Sequence, residues 1–221
     1  MLPHAEQRRD GAQPGRCMRS GNQPREELSD PRSLDILQSS TTRSERFELT
    51  DLYPIIRAAR ENAEEPSSPS ADPDRLRRVL EELDSDTVLA FGIAFNAELA
   101  RLNQWRLWDA GYVAAGGMSD DSFHYFRSWL VGKGEVVVAQ ALTDPDGLAP
   151  FLDDPALDNE LLEYVAIDLL EGRGVAIDPR DSDSDFPDAK PTGQHMGGDD
   201  TLDRRFPKLA AWRDRRKESI G

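Results

Sequence analysis

Along the middle of the chain, apolar residues recur at intervals of three and four, the spacing that gathers them on one side of an α-helix. Leu52, Ile55, Ile56 and Ala59 form the first such set, with Thr50 or Asp51 placed to cap it and Pro54 near its first turn. After the breaker-rich stretch EEPSSPSADP, Asp72 and Pro73 make a strong helix start: a cap residue, then proline at the first helical position. Leu76, Val79, Leu80 and Leu83 follow as a stripe, and Arg75, Arg77, Arg78, Glu81 and Glu82 take the other face. Ser85 opens a longer helix with a seam of Val88, Phe91, Phe95, Leu99 and Leu102. The pattern runs on, straight or bent near Asn103, through Trp105, Trp108, Tyr112 and Ala115. Gly116 and Gly117 then offer the positive φ that ends helices.

Ser119 opens the next helix, with Phe123, Phe126, Trp129 and Leu130 inward and Gly132 or Gly134 as its stop. Glu135–Leu142 carries three valines; either helix or strand suits it, and a short helix is expected because no second strand is available nearby. Asp158 is placed to cap a helix with Leu161, Leu162, Val165 and Leu169 inward and Gly172 at its end. Phe206, Leu209 and Trp212 mark a last short segment. The predicted fold is all-α: a small irregular bundle of five to seven helices over residues 47–174, with antiparallel neighbours because the loops are short. Residues 1–46, rich in Arg, Pro, Gln, Ser and Gly, read as a disordered arm. Residues 175–202 read as an acidic linker and 203–221 as a short basic tail helix.

Charge narrows the function classes. The 221 residues include 42 Asp and Glu against 27 Lys and Arg, a formal net charge of −15. Residues 47–202 hold 32 of those acids and 12 of those bases. Such a body repels phosphate backbones and anionic lipid, so neither nucleic acid nor membrane is an expected partner and a basic protein is. Cys17 is the single cysteine, so no internal disulfide and no Cys-rich zinc site can form. No apolar run reaches the length of a membrane span, no secretory leader is evident, and a cytoplasmic protein is expected.

Chemistry is sparse. In GGMSDDSFHYFRSWLVGKG, Ser119, Asp120 and Asp121 precede an aromatic helix, with His124 one turn on. Two readings fit. Ser119 caps the helix while the two acids sit beside its positive end, or Asp120 and Asp121 hold a metal with His124 as base; the cap is favoured. His124 could approach Ser119 or Asp120 along the helix. Trp105, Trp108, Tyr112, Ser119, Arg127 and Trp129 are the candidate binding residues; the aromatics suit a pocket but more often fill a core. Arg127 either faces water or pairs with Asp109 or Asp121. Asp181, Asp183 and Asp185 open like a calcium loop, but Phe186 stands where glycine is needed and Thr192 where glutamate is. His195 has no second histidine at ligand spacing and is expected in a flexible stretch. No phosphate-binding glycine loop, nucleophile elbow or zinc-helix motif occurs, and no cofactor is expected.

The run Trp105–Gly134 resembles the centre of a bacterial domain family of unknown function, DUF4240. Trp105, Trp108, Ala110 and Tyr112 match its W-x-x-W-x-A-x-Y pattern. Ser119, Asp120, Asp121, Phe123, Tyr125, Phe126, Arg127, Trp129 and Leu130 match S-D-D-x-F-x-Y-F-R-x-W-L. The resemblance implies a domain over about residues 47–174, with Met118 and His124 departing from the pattern, and it implies no activity. Three function classes follow as expectations. The first is a non-enzymatic helical module, regulatory or immunity-like, that binds a basic partner through its acidic surface. The others are a metal-dependent hydrolase or nuclease-like enzyme using Asp120 and Asp121, and a small-molecule sensor with an aromatic pocket.

Overall fold

The computed structural model describes residues 49–65, 67–152, 157–176 and 190–220. The expectations for residues 1–46, for Cys17 and for Asp181, Asp183 and Asp185 lie outside them. The described residues form α1 (Leu49–Ala59), α2 (Pro73–Glu81), α3 (Ser85–Arg101), α4 (Trp105–Ala115), α5 (Asp120–Lys133) and α6 (Glu135–Thr143). A 3-10 segment (Pro145–Phe151), α7 (Leu161–Gly172), α8 (Asp199–Arg205) and α9 (Pro207–Ile220) follow. No strand occurs among them, only an isolated parallel bridge between Gln104 and Thr192. The fold is all-α, and Glu135–Thr143 is helical. The nine α-helices among the described residues exceed five to seven because two of them, α8 and α9, lie beyond residues 47–174, where the sequence predicts one short tail helix; the chain makes seven within 47–174.

Two groups of helices pack around α5, which touches α1, α3, α4, α6 and α7. One group is α1, α2, α3 and α7; the other is α4, α6, the 3-10 segment, α8 and α9. Central placement explains the composition of α5. Its second half, Phe126 to Lys133, is buried residue after residue, as a helix enclosed on all sides must be. The seam predicted for α3 is buried in full: Val88, Phe91, Phe95, Leu99 and Leu102.

Local departures from the sequence reading have local causes. Asp84, one residue before the expected Ser85, caps α3 by accepting the Thr87 N–H at 2.8 Å. That bond, with help from the Asp86 amide and Arg173, holds its carboxyl below the usual range. In α4 the deeply buried face is Leu107, Ala110, Gly111, Val113 and Ala114. The expected face of Trp105, Trp108 and Tyr112 is only half-buried, and Ala115 is exposed. α7 begins at Leu161, not at an Asp158 cap, because Asn159 is committed elsewhere: its side chain reaches back to the loop before α2. Arg173, just past α7, donates to the carbonyls of Leu80, Glu81 and Leu83, a cation at the open end of α2.

Candidate functional site

Ser119 does cap α5: its Oγ accepts the Ser122 N–H at 3.2 Å and lies 3.0 Å from the Ser122 hydroxyl. Asp120 and Asp121 follow in the first turn, both exposed. No group of three or more His, Cys, Asp or Glu is placed to hold a metal among the described residues.

His124 turns away from Ser119. It pairs through Nε2 with Glu163 of α7, and the Nη2 of Arg127 approaches its Nδ1 at 2.9 Å. A guanidinium only donates. Nδ1 is therefore the acceptor, and the ring proton sits on Nε2, donated to Glu163. Arg127 neither faces water nor pairs with Asp109 or Asp121, as the sequence reading had it. It is buried, donates from Nη1 to the Leu99 carbonyl at 3.0 Å and lies 4.9 Å over the Phe123 ring. Burial pushes its pKa down to about 10, against the opposing pull of Glu163, and the charge is retained at neutral pH. Arg127 Nε and Glu163 Oε1 are buried without a hydrogen-bond partner. Beside Glu163, between α3 and α7, is a cleft of about 30 Å³ bordered by Phe91, Phe95 and Asn96. It has room for a water or two, at roughly 10–15 Å³ each.

Outside this buried pair is an acidic, tyrosine-bearing face. The Tyr125 hydroxyl on α5 is raised above its ordinary range, first by desolvation, then by Glu160, Asp121 and Glu163. Tyr164 on α7 donates to Glu160 Oε1 at 2.9 Å. That bond, with desolvation and the charges of Glu160 and Glu163, pushes it up to about 12. On α7, Leu161 is 63% exposed and Tyr164 44%. The N-terminal halves of α5 and α7 thus bring Asp121, Glu160 and two phenols near one another, with Leu161 exposed next to Glu160 in the chain and Glu163 mostly buried against His124.

The candidate aromatics stack on one another. Trp105 lies on Trp108 at 4.9 Å and Trp108 on Phe123 at 4.8 Å, each pair within 12° of parallel. With Arg127 at one end and His195, 5.6 Å from Trp105, at the other, they form a column from α5 across α4 to the C-terminal region. Gly111 lets Met118 and Phe126 come close to α4, since a Cβ there would meet the Met118 Sδ at 2.8 Å and Phe126 Cδ1 at 3.0 Å. Tyr112 is half-buried against the core.

Trp129 belongs to a different place, the second half of α5. The loop of residues 67–72 is tied to that helix by several bonds. Lys133 Nζ, buried and 5.2 Å from the Trp129 ring, donates to the Ser68 carbonyl at 2.6 Å. The Ala71 N–H donates to Gly132 O at 2.9 Å. Ser70 Oγ donates to Trp129 O at 3.2 Å, and Asn159 Nδ2 donates to Ser70 Oγ and Ala71 O. A cleft of about 340 Å³ opens beside this loop.

Sequence reasoning missed the groups that hold the C-terminal region, since their partners are far away in the chain. Buried Asp109 pairs with His195 and accepts the Met196 N–H at 2.8 Å, so His195 is anchored and not part of a free stretch. Asp146 accepts the N–H groups of Lys208 and Leu209 at 2.9 and 3.1 Å, a cap supplied to α9 from another segment. Residues 190–202, expected within a linker, also donate Thr192 N–H to Asn103 O and accept Trp105 N–H at Thr192 O. Glu98, fully buried, accepts from Tyr53 and from Arg101, joining α1 to α3.

Residues 48–171 match the model of a family described as a protein of unknown function, DUF4240. No curated protein and no solved structure matches the chain. Among the described residues no helix is long and apolar enough to cross a membrane.

Proposed function

We propose for this chain, which belongs to the DUF4240 family of proteins of unknown function, a role as a non-enzymatic helical module that binds a basic protein segment. The binding face is the acidic, tyrosine-bearing surface at the starts of α5 and α7. One observation carries the reading: Asp121 and Glu160, with the mostly buried Glu163, all act on the Tyr125 hydroxyl, and Leu161, next to Glu160 in the chain, is exposed. Carboxylates near two phenols, with an exposed leucine next to one of them in the chain, suit an Arg- or Lys-rich segment that also brings an apolar side chain. The phenol faces take cations as well. The net charge of −15 favours the same partner at longer range. Such a module acts in the cytoplasm as a regulator, or by neutralising a basic effector as immunity proteins do.

The test uses the full chain and two labelled peptides of equal charge, one alternating arginine with leucine and one alternating arginine with serine. Fluorescence anisotropy is read from 50 to 300 mM salt. The leucine peptide is expected to bind more tightly. Asp121→Asn with Glu160→Gln should weaken it about three- to tenfold and flatten the salt dependence. Leu161→Ser should erase the preference for leucine. Equal binding of both peptides, or binding untouched by these variants, would refute the reading.

A further inference from the structure

α3 packs against α1, α5 and α7, and its remaining side is open among the described residues. That side is unlike the rest of the surface. Charged residues make up 31% of the chain, yet between Asp86 and Arg101 only Glu98 is charged, and it is fully buried. The residues turned outward there are Ala90, Ile93 and Ala97, at helical spacing, with Ile93 43% exposed. Half-buried Leu89 extends the apolar ground to the cleft between α3 and α7. A bare isoleucine flanked by alanines, on a chain this charged, suits burial against a partner.

Charge says which partner. A basic protein finds no exposed carboxylate along this stretch, and the negative body repels an acidic one. The net charge of −15 also repels a second copy, but least where the surface carries no charge. Turned end for end, a second copy is matched as well. Asp86 is exposed at the start of α3, and at its end Arg101 holds the buried Glu98 while 49% of its own side chain stays exposed. The two lie about 22 Å apart along the axis, at about 1.5 Å per residue, with Ile93 midway. Reversal about Ile93 therefore sets Asp86 against Arg101 and Ala90 against Ala97. Opposed helix dipoles favour the same arrangement. Parallel pairing would instead set Asp86 against Asp86 and Arg101 against Arg101. The alanines let the backbones approach to the roughly 8–10 Å of packed helices, so that the isoleucines meet.

We infer that two copies of this chain pair through α3, antiparallel about a two-fold axis, with Ile93 on the partner's Ile93, Ala90 on the partner's Ala97 and Asp86 beside the partner's Arg101.

Sedimentation of the full chain from about 5 to 500 µM covers the weak association that one helix pair gives. A concentration-dependent dimer is expected. Ile93→Ser, at an exposed position, should weaken it at least about tenfold with the circular dichroism unchanged. Asp86→Lys lowers the net negative charge, so an association governed by net charge alone would tighten. Paired with arginine it should instead loosen the dimer about tenfold. Cross-linking with a short bismaleimide, in a Cys17→Ser background, reads the register. Ile93→Cys should link to its own copy, and Ala90→Cys with Ala97→Cys should link faster when mixed than either does alone. Asp121→Asn with Glu160→Gln should leave the dimer in place, which keeps this test apart from the peptide-binding face. A monomer at every concentration would leave the face to another partner and overturn the inference. So would a dimer indifferent to Ile93→Ser, one tightened by Asp86→Lys, or no gain in cross-linking on mixing.

Discussion

Gly132→Ala is the sharpest test of how the loop of residues 67–72 meets α5. On a solvent-facing helix the change is favourable by about 1 kcal/mol, because alanine restricts the unfolded chain and suits the helix. Here a Cβ would stand 2.1 Å from Ser70 Oγ, 2.6 Å from Leu162 Cδ1 and 3.3 Å from the Ala71 nitrogen. Something has to move. Overpacking of this kind costs about 1–3 kcal/mol. Displacing Ser70 also endangers its bonds to Trp129 O and Asn159 Nδ2, at about 1 kcal/mol each. Set against the helix gain, the net expectation is a loss of about 2 kcal/mol. For a chain of this size that lowers the melting temperature by roughly 4–8 °C. Urea denaturation and calorimetry measure the loss, and hydrogen exchange at the Ala71 amide, bonded to Gly132 O, shows whether the loop has lifted. Ser70→Ala removes the nearest obstacle. The double variant should therefore recover at least 0.5 kcal/mol relative to additivity, with the Leu162 contact accounting for the remainder. A Gly132→Ala protein as stable as the wild type would mean the loop does not sit on α5 as described.

Two further outcomes follow from other parts of the structure. Tyr53 is raised well above its ordinary range by burial first and then by its bond to Glu98. A folded value above the unfolded one means stability fully present below about pH 10 and lost as pH rises beyond it. The wild type should therefore weaken from pH 9 to pH 11 more steeply than Tyr53→Phe in parallel urea titrations, and matching slopes would refute the assignment. Ser119→Ala should cost about 1 kcal/mol in thermal melts and Ser119→Asp should restore it, as a cap requires; failure of aspartate to rescue would count against capping.

Much of this architecture is legible in the sequence because it is encoded locally. The α2 start shows in Asp72 and Pro73, the α3 seam in five apolar residues, and the α5 start in Ser119. These depend on neighbours within a turn or two. What the sequence conceals is every arrangement set by a distant partner. Periodicity places Trp105, Trp108 and Tyr112 together correctly but cannot say that the opposite face of α4 is the more deeply buried. Asp158 looks like a cap until Asn159 is seen reaching Ser70, 89 residues away in the chain. His124 lies one turn from two aspartates, yet Glu163 and Arg127 claim both ring nitrogens. The candidate face has the same origin, with Asp121 and Tyr125 from one helix and Glu160, Leu161 and Tyr164 from another region.

The placement of buried charge explains why so acidic a chain still presents its acids outward. Arg127, enclosed within α5, is not bonded directly to a carboxylate. Arg127 ends on the Leu99 carbonyl and His124, Lys133 on the carbonyls of Ser67 and Ser68. Carbonyls at chain bends already need donors, so each cation satisfies acceptors that would otherwise be stranded. The buried acids are likewise matched to donors other than the buried cations: Asp109 to a backbone N–H and His195, Asp146 to the start of α9, Glu98 to Tyr53 and a half-exposed Arg101. Interior charges thus knit loops and the C-terminal region onto the bundle. Asp120, Asp121 and Glu160 remain at the protein's edge, where their charge reaches solvent and whatever basic segment approaches. An interior that had recruited them as counter-ions for Arg127 would have left no such face.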